Sequence, residues 1–130
     1  MVLPNFQQAL IPIEKLRDYV LNENHPAGKH KAIVFKKELG IERRHAEAFR
    51  ELLIASLATA PAYRGKTTPY GDHWTTYHKI VGLNARLRVI TLAWIFKKEQ
   101  PGTPQLISCY MQVSKQRELS ELFGPFQESE

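Results

Sequence analysis

The sequence predicts an α+β domain: two to three amino-terminal helices packed on a small antiparallel sheet, a meander of three or four strands. Two observations carry this. Apolar residues recur every three or four positions from Ile13 to Ala60, and from Asp72 onward the period becomes two. Turn-rich stretches, "GLNA" and "KKEQPGTP", then separate the later segments as hairpin connections do. Helices that precede strands, rather than alternate with them, imply an antiparallel sheet. A length of 130 residues fits a single domain over 1–130, with its core at about 3–113 and a tail or short helix over 114–130.

Each element has a local reason. Pro12 suits a helix start, and Ile13, Leu16, Val20 and Leu21 share one face of a helix ending near Asn22. A second helix starts around Ala27 or Gly28, buries Ala32, Phe35 and Leu39, and is capped by Gly40. A third runs from about Glu42 to Ala60 on a stripe of Ala46, Phe49, Leu53, Leu57 and Ala60, and Pro61 closes it. "AYRGKTTPYG" is expected to be a cationic loop. "DHWTTYHKIV", "RLRVITLAWIF" and "QLISCYMQV" are the strands, the second apolar on both faces as a central strand is.

Composition narrows the function classes. No apolar run reaches the roughly 18 residues of a membrane span, and the amino terminus lacks the basic and apolar regions of a secretory signal. A cytoplasmic location is therefore expected. The single cysteine, Cys109, excludes an intrachain disulfide and a cysteine-based zinc cluster. Lysines and arginines number 18 against 13 acids, a net charge of +5 that favours polyanionic partners.

Three places hold residues suited to chemistry. Around the second helix, which "HPAGKHKAIVF" opens, His30 and Lys37 fall on the side away from the apolar stripe, with Lys29 and Lys31 flanking it. A histidine between lysines can accept a proton and return it once a phosphate offsets the neighbouring charge. In the last strand, strict alternation points Ile107, Cys109, Met111 and Val113 inward and Leu106, Ser108, Tyr110 and Gln112 outward. Ser108 and Tyr110 then stand about 7 Å apart on one face. The third place is the cationic loop with Lys66; the following His73 can approach a phosphate there, His78 on the same strand is the weaker candidate, and the sequence does not choose between them. His73 and His78 lie five residues apart, on opposite faces of a regular strand, so no shared metal site is expected. No cofactor motif is present.

The stretches "LPNFQQALIPIEKLRDYVLNENHPAGKHKAIVFKKELGI", "YGDHWTTYHKIVGLNARLRVITLAWIF" and "PQLISCYM" resemble an uncharacterised bacterial domain family with the pattern HP-x-GKHKA-x-VF, YG-x-x-Y, an aliphatic-AW strand and a final LVTCYV. Such domains occur alone or at the ends of bacterial toxins. More distantly the chain is similar to the barnase–EndoU–colicin–RelE group of metal-independent ribonucleases, whose toxin members carry a lysine–histidine pair on a helix and Thr-x-Tyr in a late strand. That likeness implies catalytic roles for His30, Lys31, Ser108 and Tyr110 and a phosphate contact by Lys29; Lys37, Lys66 and His73 are the further nucleic-acid contacts expected from charge and position. It also implies RNA as substrate and an acidic antitoxin or immunity protein as partner. Ser108 replaces the threonine, and Ala85 follows Asn84 where glycine would ease the hairpin. Two other classes compete with the ribonuclease: a non-catalytic nucleic-acid binder and a partner-binding protein.

Overall fold

The computed structural model describes residues 1–124. The first helix, α1 (Ile13–Lys15), continues directly into a π-helical turn over Leu16–Val20, in which Leu21 N–H reaches back to Leu16 O at 2.8 Å. This wide turn buries Leu16, Val20 and Leu21 and leaves Tyr19 half-exposed. Helix α2 (Lys29–Leu39) buries Ala32, Phe35 and Leu39, and Gly40 ends it in the left-handed region at φ +68°. After a 3-10 turn at Arg43–His45, helix α3 (Ala46–Ser56) buries Ala46, Phe49 and Leu53. It stops at Ser56 rather than Ala60, although Leu57 and Ala60 are buried beyond it. Asp18 ties α1 to this turn through Arg17 and Arg43, both 2.8–2.9 Å away, and the two guanidiniums hold its carboxyl well below the usual carboxylate range.

Four strands follow: β1 (Ala62–Thr68), β2 (Gly71–Val81), β3 (Leu87–Lys97) and β4 (Pro104–Tyr110). They form one antiparallel meander in the order β1-β2-β3-β4. The stretch expected as a cationic loop is therefore mostly the edge strand β1. Its apolar pattern is invisible because only Ala62 is buried; the next five residues face solvent. An exposed edge strand needs no hydrophobic alternation, and charge on it discourages edge-to-edge pairing.

One sheet face carries Trp74, Thr76, His78 and Ile80 from β2, and Ile90, Leu92, Trp94 and Phe96 from β3. The helices cover this face, with Phe35, Leu39, Phe49 and Leu53 in the same core. The opposite face carries Tyr63, Thr75, Tyr77, Thr91 and Ala93 in register. A short carboxy-terminal helix, α4 (Gln116–Ser120), lies against that face, where the Gln116 amide bonds both the N–H and the carbonyl of Val89 at 2.7 and 2.9 Å. The expected tail thus contains a short helix; its last six residues lie outside the described part.

The β2–β3 hairpin closes through Gly82 N–H to Arg86 O, leaving Leu83, Asn84 and Ala85 as the loop. Leu83 N–H donates to Leu39 O at 2.8 Å and Gly82 lies so close to Leu39 that a Cβ would collide with its backbone. Ala85 adopts φ +68°, a conformation that disfavours any residue with a Cβ. Ala85→Gly is expected to stabilise the domain by about 1 kcal/mol, read as a higher urea midpoint with an unchanged slope.

Candidate functional site

The site begins with an irregularity in β4. Ser108 pairs with Ala93 but Leu106 pairs with Trp94, so Ile107 is an extra residue, a β-bulge. Strict alternation is broken there. Leu106 and Cys109 both face the core, at 4% and 0% exposure, while Ile107 is exposed; the inward and outward assignments of Leu106 and Ile107 are reversed from those the sequence predicts. Val113, also expected inward, is exposed too. β4 is an edge strand and its end lies beside α1, where the Lys15 ammonium donates to Ile107 O at 3.0 Å. Beyond the bulge, Ser108 and Tyr110 register with Ala93 and Thr91 on the outer face. Cys109 is buried between them, and burial pushes its thiol up, far from nucleophilic use.

Helix α2 begins next to this strand end. The Lys31 ammonium lies 5.4 Å from the centre of the Tyr110 ring and 5.8 Å from that of Tyr19, a cation held between two phenols. Tyr19 in turn meets His25 edge-on, with ring centres 4.6 Å apart. The His25 ring is fixed through Nδ1, which accepts the backbone N–H of Ala27 at 3.0 Å and of Gly28 at 3.1 Å. A hollow of ≈ 660 Å³ borders the group, with Glu14, Lys15, Tyr19, Ile107 and Ser108 among its walls. Across the outer face, Tyr63 and Tyr77 pack with ring centres 5.8 Å apart. Burial, and then the neighbouring phenols of Tyr110 and Tyr63, push the Tyr77 hydroxyl up.

The structure thus brings Lys31 to Tyr110, with Ser108 two residues along the same strand. Lys29 and His30 are exposed on the first turn of α2 and Lys37 is exposed two turns on, and none of the three side chains makes a hydrogen bond among the described residues. At 3.6 residues per turn, His30 stands about 140° around the helix from the buried Phe35, and Lys31 about 40°. Lys66 lies on β1, across the sheet from β4 by three strand spacings, about 14 Å. His73 lies on β2, its Nε2 3.2 Å from the Thr68 hydroxyl. Neither belongs to the Lys31 cluster. The sequence offers no sign that Lys15, Tyr19 and His25 join it, because their placement depends on the π-turn and on the chain folding back before α2. Among the described residues no group of three or more potential metal ligands occurs.

His78 is a core residue. Its ring is fully buried, and the hydrogen bonds around it have one direction. Trp94 Nε1–H donates to the Thr76 hydroxyl at 2.8 Å, leaving the Thr76 proton for His78 Nε2 at 2.7 Å. At the other end Ser56 donates to Leu53 O at 2.9 Å, so its oxygen accepts from His78 Nδ1–H at 2.6 Å. A second ring proton has no acceptor there.

The architecture and this edge define a two-layer α+β domain with a lysine–tyrosine cluster beside its last strand. The chain belongs to the family described as Domain of unknown function (DUF6883), which matches residues 2–113 and so spans everything from the amino-terminal turn through β4. No curated protein and no solved structure matches it. Among the described residues no helix is long and apolar enough to cross a membrane.

Burial lowers the His78 pKa to about 4 from the ordinary 6.5. Between these values the unfolded chain binds a proton that the native one does not, so stability is full above pH 6.5 and is lost as pH falls towards 4. The expected loss is about 3 kcal/mol, measurable by urea unfolding across that window. In His78→Gln the dependence over the same window should be much weaker.

Proposed function

We propose that this domain is a metal-independent endoribonuclease of bacterial toxin type. The observation that carries the reading is the Lys31 ammonium, held over the Tyr110 ring at 5.4 Å beside the outward-facing Ser108. The arrangement of helices before an antiparallel sheet, and the match of Lys29-His30-Lys31 and Ser108-x-Tyr110 to the toxin ribonuclease motifs, add to it.

In this reading the 2′-hydroxyl of RNA attacks the adjacent phosphorus and loses its proton to a base. The P–O5′ bond breaks and the leaving oxygen takes a proton from an acid. The products are a 2′,3′-cyclic phosphate and a free 5′-hydroxyl. Lys31 balances charge on the phosphoryl oxygens, and Lys29 adds to the positive field at the start of the helix. Tyr110 and Ser108 hydrogen-bond the phosphate and hold it in line. His30, exposed beside Lys31, is the acid–base group. Lys37, Lys66 and His73 contact the RNA further out. An acidic antitoxin or immunity protein is the partner such a toxin needs.

A non-catalytic RNA binder would use the same lysines, and the tyrosines on the outer sheet face favour it as the second reading, since bases stack on such rings. The discriminating experiment is incubation of the purified chain with total RNA in EDTA, followed by mapping of product ends. Cyclic phosphate ends support the nuclease; salt-sensitive binding without cleavage supports the binder. His30→Ala and Lys31→Ala should each reduce cleavage by about a hundredfold or more while the fold survives. Cleavage at the parental rate by either variant removes that residue from the mechanism.

A further inference from the structure

We propose that His25 is a phosphate-binding residue, donating a hydrogen bond from Nε2–H to a phosphoryl oxygen that the Lys31 ammonium also contacts. This rests on the reading of the Lys31–Tyr110 cluster as an RNA phosphodiester site and adds a ligand group to it.

The His25 ring makes its attachments through one nitrogen only. Nδ1 accepts two backbone N–H groups, from Ala27 and Gly28, so its lone pair is occupied and the ring proton sits on Nε2. Nε2 has no partner among the described residues, and the ring is half-exposed. The same ring meets Tyr19 at 4.6 Å, and Tyr19 is one of the two rings that Lys31 lies over. An N–H donor and an ammonium thus both lie against the Tyr19 ring, and that ring also walls the hollow beside Ser108. An oxyanion with several acceptor oxygens satisfies both at once, and a phosphodiester has that form.

Turn capping alone does not account for a histidine here. Accepting Ala27 and Gly28 N–H requires one acceptor atom, which Asn, Asp or Ser supplies as well. What histidine adds is a ring that packs edge-on to Tyr19 and a second, protonated nitrogen held in direction by the first.

His25→Asn separates the two roles, because its Oδ1 can keep the backbone contacts while the distal N–H is lost. The full chain is tested against a short fluorescein-labelled single-stranded RNA at low salt, alongside Lys31→Ala. The expected result is a urea midpoint lowered only by the lost Tyr19 contact for His25→Asn, with roughly tenfold weaker RNA binding, the size of one hydrogen bond to a charged group. In the parent protein, 15N spectra of the ring should show the proton on Nε2 and a shift of that signal on adding RNA. This spectral readout decides the matter if His25→Asn unfolds. Unchanged affinity in a folded His25→Asn, while Lys31→Ala weakens binding, makes His25 a cap alone and leaves the phosphodiester site standing. An Nε2–H signal that RNA does not move also overturns the inference. If parent and Lys31→Ala bind RNA equally, or neither binds, the phosphodiester site itself fails, and the role of His25 with it.

Discussion

The burial of Phe35 sets the position of everything around the candidate site. Its ring is fully enclosed and meets Phe49 of α3 edge-on, with centres 5.4 Å apart. One aromatic pair of this kind fixes the rotation of α2 about its own axis, because turning the helix would expose Phe35, Ala32 and Leu39 together. Removing a fully buried phenylalanine from such a contact costs several kcal/mol, about 3–5. With that rotation fixed, the residue one turn earlier on the same row is Lys31. It emerges at the rim of the buried stripe, over the end of β4. The cation is thus placed by the core, while its immediate neighbour His30 is turned towards solvent by the same geometry.

The second half of the site depends on β4 being irregular. Leu106 and Cys109 are both needed in the core, yet they are three apart, an odd spacing that a regular strand cannot bury on one face. The extra residue at Ile107 resolves the conflict, and it does so at a sheet edge where no further strand is disturbed. Its carbonyl is met by the Lys15 ammonium. The π-turn at Leu16–Val20 does comparable work opposite it, burying Val20 and Leu21 as consecutive residues while Tyr19 stays on the surface. Two departures from regular geometry, one in a helix and one in a strand, therefore face each other across the hollow. Such departures tend to gather where a protein binds something.

What the sequence made legible follows from these facts. Helices with a 3.6-residue apolar stripe, and strands with one buried face, were readable because their pattern reports their packing: Ala32, Phe35 and Leu39 are buried as their spacing predicts. β1 was hidden because an edge strand facing solvent leaves no apolar trace beyond Ala62. The bulge was hidden because "LISC" fits alternation as well as it fits an inserted residue. The pairing of Ser108 with Tyr110 on one face survived, since both lie beyond the bulge and keep the same parity. The meeting of Lys31 with Tyr110 is a long-range contact between α2 and β4, which no local pattern of spacing or composition reports.

The five histidines show most clearly where a sequence reading stops. His25 and His45 each spend Nδ1 on backbone N–H groups, the latter on Glu42 at 2.9 Å. His78 uses both nitrogens inside the core, and His73 is tied to Thr68. His30 has neither nitrogen engaged among the described residues. Residue type is the same in all five, but the atom left available differs, and that atom decides what the ring can do. A ring with both nitrogens occupied can only support the fold. A ring held by Nδ1 presents a fixed Nε2–H donor, whereas an unattached ring can take up or give a proton in either orientation. Of the two that retain an available nitrogen near Lys31, His25 therefore suits a contact that must be held still, and His30 one that must change protonation. The proposed phosphodiester site calls for both kinds of group, and the segment from His25 to Lys31 holds one of each within a single turn and the start of one helix.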